Sequence, residues 1–244
     1  MDVETPKTLK SQKSRIISTV LSPALRLWLR SQVEQVEALQ FKIVGGDRQI
    51  LTGYIPSVSI AASGAIYQGL HLSKIQLEGT NIRVNLGQVI KGKPLRLLEP
   101  VPVVGELLLL ESDLQASLQS PLLSTALSEL LGTLLKSDGI TNLDNDLKDR
   151  QISWQQVAIH TDQLTLVGTL TDAVQTTPVV IRASLQLATM RVLQLNSLQI
   201  QLNPESEPIN LEGFQVDLGS EVALQEITLT PGQLRCCGRL TVLP

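Results

Sequence analysis

Few side chains in this sequence have the types and spacing that catalysis or metal binding requires. His71 and His160 are the only histidines, and both fall in alternating apolar patterns that predict strands. A zinc site needs three or four ligands, and nothing in the sequence groups the histidines with the two cysteines. The nucleophile elbow, the phosphate loop, the dinucleotide-binding glycines and the HExxH motif are also missing. We therefore expect no catalytic site, cofactor or metal; a lipid-modifying enzyme that uses His71 or His160 is the competing hypothesis.

The remaining polar motifs have structural explanations. Cys236 and Cys237 are adjacent in a strand pattern, so their side chains point to opposite faces and we expect free thiols. Asn142-x-Asp144-x-Asp146 resembles the start of a calcium loop, but Leu147 stands where glycine is required. That segment therefore predicts a solvated linker.

Composition excludes several classes of protein. The chain has 244 residues, 43% of them apolar and only 2% aromatic, and its net charge is −3. This composition is typical neither of a disordered chain nor of a basic nucleic-acid binder, so we expect no nucleic-acid partner. Two cysteines cannot form a disulfide framework. No apolar run approaches the roughly 18 residues that a membrane-spanning helix needs.

The N-terminal residues are basic. Lysine and arginine outnumber acidic residues in the first thirty positions, and an apolar stretch begins at Ile16. Arg26 interrupts that stretch and no cleavage site follows, so we predict no signal peptide. The segment is either an amphipathic helix attracted to anionic lipid or a polar tail before a core helix. We predict a disordered basic tail at 1–13 and a cytoplasmic or membrane-peripheral location.

Periodicity predicts a helix, a set of strands and a helical middle segment. Apolar residues at steps of three and four predict a helix over 14–39, in which Pro23 either makes a kink or starts a second helix capped by Ser22. A period of two follows. Ser112-Asp113-Leu114-Gln115 predicts a capping box, and Ser120-Pro121 predicts the start of another helix. A polar linker near 137–150 then joins two halves of a single domain over 14–244.

The second half is predicted to be β-structure. Its strand patterns cover 153–160, 163–170, 178–192, 193–202, 209–216, 222–230 and 234–243. One spacing recurs three times, beginning at Leu70, Leu193 and Val222, in which the alternation slips by one residue. Such a slip is typical of a β-bulge or a tight turn, and bulges bend a sheet.

Three segments carry a resemblance to a known family. They are Ser22-Pro23-Ala24-Leu25 through Gln35, the stretch from Gly69 to Leu77, and Gly105-Glu106-Leu107 running into 110–118. In these segments the chain resembles the LmeA-like phospholipid-binding family of bacteria, in particular its cyanobacterial members, over roughly 15–243. These motifs are structural rather than catalytic.

The resemblance implies a fold and a ligand. We expect an α+β protein: a strongly curved, elongated antiparallel β-sheet or open barrel wrapped on a long N-terminal helix and a mid-chain helical segment, similar to tubular lipid-binding domains. It would bind or carry phospholipid or another acyl-chain ligand in an apolar groove, peripheral to a membrane. The aliphatic residues proposed to contact lipid are Leu25, Trp28, Leu29, Leu127 and Leu131. The basic residues proposed to contact headgroups or an anionic membrane surface are Arg26, Arg30, Lys91, Lys93 and Arg96.

The alternative is a structural or assembly protein. In that case the apolar face of the helix over 122–135 would pack on a protein partner, which the sequence leaves unknown.

Overall fold

The computed structural model describes residues 17–137, 151–171, 176–203 and 207–244. The proposed tail at 1–13 and the residues 138–150 of the proposed linker lie outside these ranges. A π-helical turn at Ile17–Leu21 leads into the first of five α-helices: α1 (Ser22–Ser31), α2 (Asp47–Leu51), α3 (Leu86–Val89), α4 (Glu111–Ser117) and α5 (Pro121–Ser137).

Two antiparallel sheets account for the strands. The first sheet has the order β1-β2-β3-β4-β12-β11, and consists of β1 (Gln35–Val44), β2 (Tyr54–Tyr67), β3 (Leu70–Arg83), β4 (Val101–Leu110), β11 (Val222–Thr230) and β12 (Gln233–Val242). The second has the order β10-β8-β7-β6-β5, with β9 also paired to β8, and consists of β5 (Gln151–His160), β6 (Gln163–Thr171), β7 (Thr176–Thr189), β8 (Val192–Gln201), β9 (Ile209–Leu211) and β10 (Phe214–Asp217). The expected open, antiparallel α+β class is confirmed.

Each sheet packs one face against its own helices. In the first core, Leu21 and Leu25 pack with strand residues such as Ile55 and Val103. In the second, Leu131 and Leu134 of α5 are fully buried with a group of strand residues that includes Trp154. Burying each such side chain stabilises the fold by about 1.5–3 kcal/mol.

The N-terminal helix is shorter than its apolar pattern predicts. The α-helix ends at Ser31, and residues 35–44 form β1, whose partner is β2. Valines at positions 33 and 36 fit a helical stripe as well as a strand, so the local pattern is ambiguous; pairing with a strand that starts at Tyr54 decides it. Pro23 lies in the first turn of α1, while the predicted cap by Ser22 is wrong because Leu21 is the cap and no side chain bonds there.

Two of the three recurring spacings are bulges. The register of β7 with β8 shifts between Arg182 and Ser184, opposite Ser197, which has a φ of 47°. The register of β11 with β12 shifts between Leu224 and Glu226. The copy at Leu70 keeps a constant register with β2, so the prediction of a bulge there is wrong.

Helix α4 joins the two sheets through its polar side chains. On one side, Ser73 of β3 donates to Asp113 Oδ2 at 2.5 Å, and Ser117 accepts from the His71 amide at 2.8 Å. On the other side, the backbone amides of Val157 and Ile159 donate to Gln115 Oε1 and Glu111 Oε2, at 2.9 and 2.7 Å respectively. These amides belong to β5, an edge strand of the second sheet. The helix thus satisfies an edge that would otherwise be open.

This arrangement overturns the predicted capping box. Helix α4 begins at Glu111 with Leu110 as its cap, and Ser112 is exposed. The Gln115 side chain does not return to the helix start; its amide nitrogen donates to the Gln155 carbonyl at 2.6 Å while its oxygen accepts from Val157.

We expect Gln115→Leu to lower the free energy of unfolding by about 1–3 kcal/mol, because it leaves the buried Val157 amide without an acceptor. Urea unfolding followed by circular dichroism measures the change. Ser112→Ala, an exposed position in the same helix, is the control and should shift stability by less than about 0.5 kcal/mol. Equal stability of the two variants would contradict the role given to Gln115.

Candidate functional site

Strand register places one apolar side chain from each strand of the first sheet in a single line. Leu39 pairs with Ala62, Ala62 with Ile75, Ile75 with Leu107, Leu107 with Cys236 and Cys236 with Ile227. We call these six side chains the apolar row. Five spacings of roughly 4.8 Å between neighbouring strands make the row about 24 Å long. This exceeds the roughly 15 Å of hydrocarbon in one bilayer leaflet.

The apolar row lies between two helices, on the face of the sheet that carries the first core. Phe41, two residues beyond Leu39 on β1 and therefore on the same face, packs against that core with α1. Ser73, two residues before Ile75 on β3, bonds α4 instead. All six members of the row are only half-buried. Helices α1 and α4 thus cover this face of the sheet on either side of the apolar row, whose side chains remain partly exposed.

Two glycines beside the apolar row mark a close approach of the last strands. Gly105 and Gly238 face one another on β4 and β12. A Cβ at Gly238 would lie 2.6 Å from the Ala223 carbonyl oxygen and 2.9 Å from Leu224 Cα, next to the β11 bulge. A Cβ at Gly105 would lie 2.6 Å from Leu77 Cδ2. Because the atoms near Gly238 are backbone, glycine is required there for the tight packing of β12 against β11, whereas the Leu77 side chain near Gly105 can move.

Cys236 and Cys237 lie on opposite faces of β12, as predicted, and both are free thiols. Cys236 is a member of the apolar row, and burial raises its pKa, with a smaller contribution from Cys237. Cys237 lies beside Glu106 on the other face, where it lines an open hollow of about 560 Å³. The two adjacent cysteines therefore report on opposite faces of the sheet.

The hollow on the other face has a mixed polar lining. Its side chains include Lys42, Gln76, Glu78 and Glu106, and Glu106 accepts a hydrogen bond from Arg235 at 2.8 Å. A second open hollow, of about 670 Å³, lies between the β2–β3 turn and α5. Within the described ranges no cluster of histidine, cysteine and carboxylate side chains could hold a metal ion.

The structure divides the predicted lipid-contacting residues between the two cores. Leu25 is buried in the first core, and Trp28 and Leu29 pack against it. Leu131 is buried in the second core, and Leu127 packs against that one. These five side chains do not form one site. Most of the apolar face of α5, from Leu123 to Leu135, packs in or against the second core, while Leu122 at its start is exposed.

The predicted basic residues are exposed in two places. Arg26 and Arg30 lie on α1, where the Arg26 guanidinium is 5.6 Å from the Phe41 ring centre. Lys91, Lys93 and Arg96 lie in the connection between α3 and β4. The two histidines have different surroundings. His71 is half-buried beside α4, and His160 is exposed at the end of β5.

The apolar row escaped sequence reasoning because its members come from positions 39 to 236. One signal was present in the sequence. Ile75 and Ile227 occupy the same place in two copies of the recurring spacing, immediately after the slip in alternation. Only the register shows that the two side chains lie on one line.

Comparison with known proteins agrees with an apolar ligand. The family model for LmeA-like phospholipid-binding proteins matches residues 13–239, nearly the whole chain. The chain belongs to the LmeA-like phospholipid-binding family. The resemblance found in the sequence is thereby confirmed. No curated protein and no solved structure matches this family member. In the part of the chain that the structure describes, no helix is long and apolar enough to cross a membrane.

The environment of Cys236 predicts slow alkylation. Only the thiolate reacts, and burial holds the pKa of this thiol above its usual value. In a Cys237→Ser variant, we expect iodoacetamide to modify Cys236 more slowly at neutral pH than it modifies an unfolded control of the same variant. The rate should rise steeply with pH. Mass spectrometry of timed samples measures it, and equal rates in folded and unfolded protein would contradict the placement.

Proposed function

We propose that this member of the LmeA-like family binds a phospholipid with an acyl chain lying along the apolar row. The observation that carries the proposal is a continuous line of six half-buried apolar side chains between α1 and α4. Core side chains are normally excluded from water more completely than these. A bound hydrocarbon chain would remove the remaining exposed area of the row.

The chemistry of the row favours holding a lipid over modifying it. Its only heteroatom is the Cys236 thiol, whose pKa is raised, so little thiolate is present at neutral pH. Asp113 of α4 already accepts a hydrogen bond from Ser73, which lies two residues before Ile75 on β3. Non-enzymatic binding or carriage is therefore the proposed activity.

Hydrocarbon burial provides the driving force. Each methylene that leaves water contributes about 0.8 kcal/mol when fully buried. Even about ten buried methylenes, fewer than an extended chain as long as the row contains, would contribute several kcal/mol if one side stays partly wet. Headgroups would then lie at an end of the row, and the exposed bases Arg26, Arg30, Lys91, Lys93 and Arg96 are proposed to meet anionic headgroups at the surface of a membrane to which the chain is peripheral.

Neighbouring leucines on β4 provide a matched test. Leu107 is in the apolar row, and Leu108 is half-buried on the opposite face beside Lys74 and Arg235. We expect Leu107→Gln to reduce the lipid-bound fraction at least about tenfold, because it removes apolar contact and places an amide against hydrocarbon. Leu108→Gln should retain lipid. Native mass spectrometry after incubation with phosphatidylglycerol measures the bound fraction.

The two cysteines provide a second test, because these adjacent residues of β12 lie on opposite faces of the sheet. Lipid loading should slow alkylation of Cys236 in the Cys237→Ser variant and leave Cys237 unaffected in the Cys236→Ser variant. Equal protection of both thiols, or of neither, would argue against binding along the row.

A further inference from the structure

We propose that one end of the first sheet docks on an anionic membrane through Leu51, Ile90 and Leu98, surrounded by basic side chains. We call this surface the loop end: residues 45–54, which connect β1 to the first residue of β2, and residues 83–100, which run from the last residue of β3 to the start of β4. The inference rests on the proposed function and names the residues that would enter the lipid interface.

Topology brings these segments together. Because β1 to β4 are antiparallel neighbours, β1 and β3 end where β2 and β4 begin. A backbone hydrogen bond joins the two connections, because the Val84 amide donates to the Gly53 carbonyl at 2.9 Å. Within the second connection, the Leu98 amide donates to the Arg83 carbonyl at 2.9 Å. Helices α2 and α3 are in contact. The loop end is therefore one surface.

Large apolar side chains are exposed on this surface. Leu51, Ile90 and Leu98 are 58%, 57% and 58% exposed. The core already has its own residues from the same segments, among them Ile50 and Leu86, which are almost completely buried. The core therefore does not need these three side chains, and several large apolar side chains exposed at one end of a folded protein indicate a binding surface.

The loop that presents Ile90 and Leu98 is rigidly held. Asn85 is almost buried, and its amide nitrogen donates to the Pro94 carbonyl at 3.0 Å. Its Oδ1 accepts from the Arg96 amide at 2.7 Å. The buried Leu95 lies between these two contacts. Ile90 and Leu98 are thus exposed on an ordered loop.

Charge identifies the partner as an anionic surface. The loop end carries five basic residues, Arg48, Arg83, Lys91, Lys93 and Arg96, and two acidic ones, Asp47 and Glu99, a net charge of +3 in a chain of −3. Apolar side chains that project among lysines and arginines are typical of proteins that lie at the lipid interface. A protein partner would need acidic complementarity to the same bases.

Flotation with vesicles tests the docking surface on the full chain. Vesicles contain phosphatidylcholine with or without an equal amount of phosphatidylglycerol. We expect the wild type to float with the anionic vesicles, less at high salt, and to float poorly with phosphatidylcholine alone. Ile90→Ser with Leu98→Ser should weaken binding more than about tenfold. Lys91→Gln with Lys93→Gln should weaken it about tenfold or more.

Controls use similar exposed residues elsewhere. Met190→Ser removes an apolar side chain that is 63% exposed at the β7–β8 turn, and Lys74→Gln with Arg191→Gln removes two exposed positive charges. These variants should float like the wild type. Circular dichroism confirms that all variants are folded.

The outcomes separate docking from lipid binding. Docking through the loop end is supported if its variants lose flotation while native mass spectrometry still detects bound phosphatidylglycerol in Ile90→Ser with Leu98→Ser. It is overturned if they float like the wild type, or if the wild type does not float with anionic vesicles, as expected for a protein partner. Loss of bound lipid in Leu107→Gln with normal flotation would support both proposals, and a wild type that floats without ever retaining lipid would overturn only the proposed function.

Discussion

The backbone amides of β5 that face away from β6 must find acceptors, and α4 provides them. Glu111 and Gln115 accept from Ile159 and Val157, while Asp113 and Ser117 of the same helix bond β3. Residues four apart lie on one side of a helix, so one short segment presents two different polar sides. An unsatisfied buried amide costs about 1–3 kcal/mol. Neither sheet has its own acceptors for these amides, so the hydrogen bonds to α4 hold the two sheets in one arrangement.

The position of α4 has a direct consequence for the first sheet. The helix sits over one side of the core-bearing face, and α1 covers the other. Between the two helices, the side chains of the apolar row remain partly exposed to solvent. The same side chains under a longer N-terminal helix would be ordinary core. The bulge near Leu224 and the close approach at Gly238 bend the last two strands where they continue the row.

The proposed lipid site is therefore a face of a sheet and not the interior of either core. Leu25 and Leu131 show why the distinction matters: each is buried among protein atoms and has little or no exposed area for a ligand. Ile75 and Leu107 are equally aliphatic but only partly buried. The scarcity of aromatic residues suits such a surface, because branched aliphatic side chains can adjust to a flexible hydrocarbon chain.

The sequence by itself determined the elements whose signals are local. The strands of the second half, the helix that begins at Pro121, two bulges and the opposite orientation of Cys236 and Cys237 all follow from alternation, turn residues and a one-residue slip, and the family follows from short structural motifs. Tertiary structure decided the rest. Residues 35–39 became strand because β2 pairs with them; Gln115 left its own helix because β5 offered an unpaired amide; and the apolar row exists only through the register of six strands. The periodicity of a sequence predicts which residues of one strand share a face. Which residue lies beside them on the next strand depends on the register, and register is set by partners that are distant in the sequence.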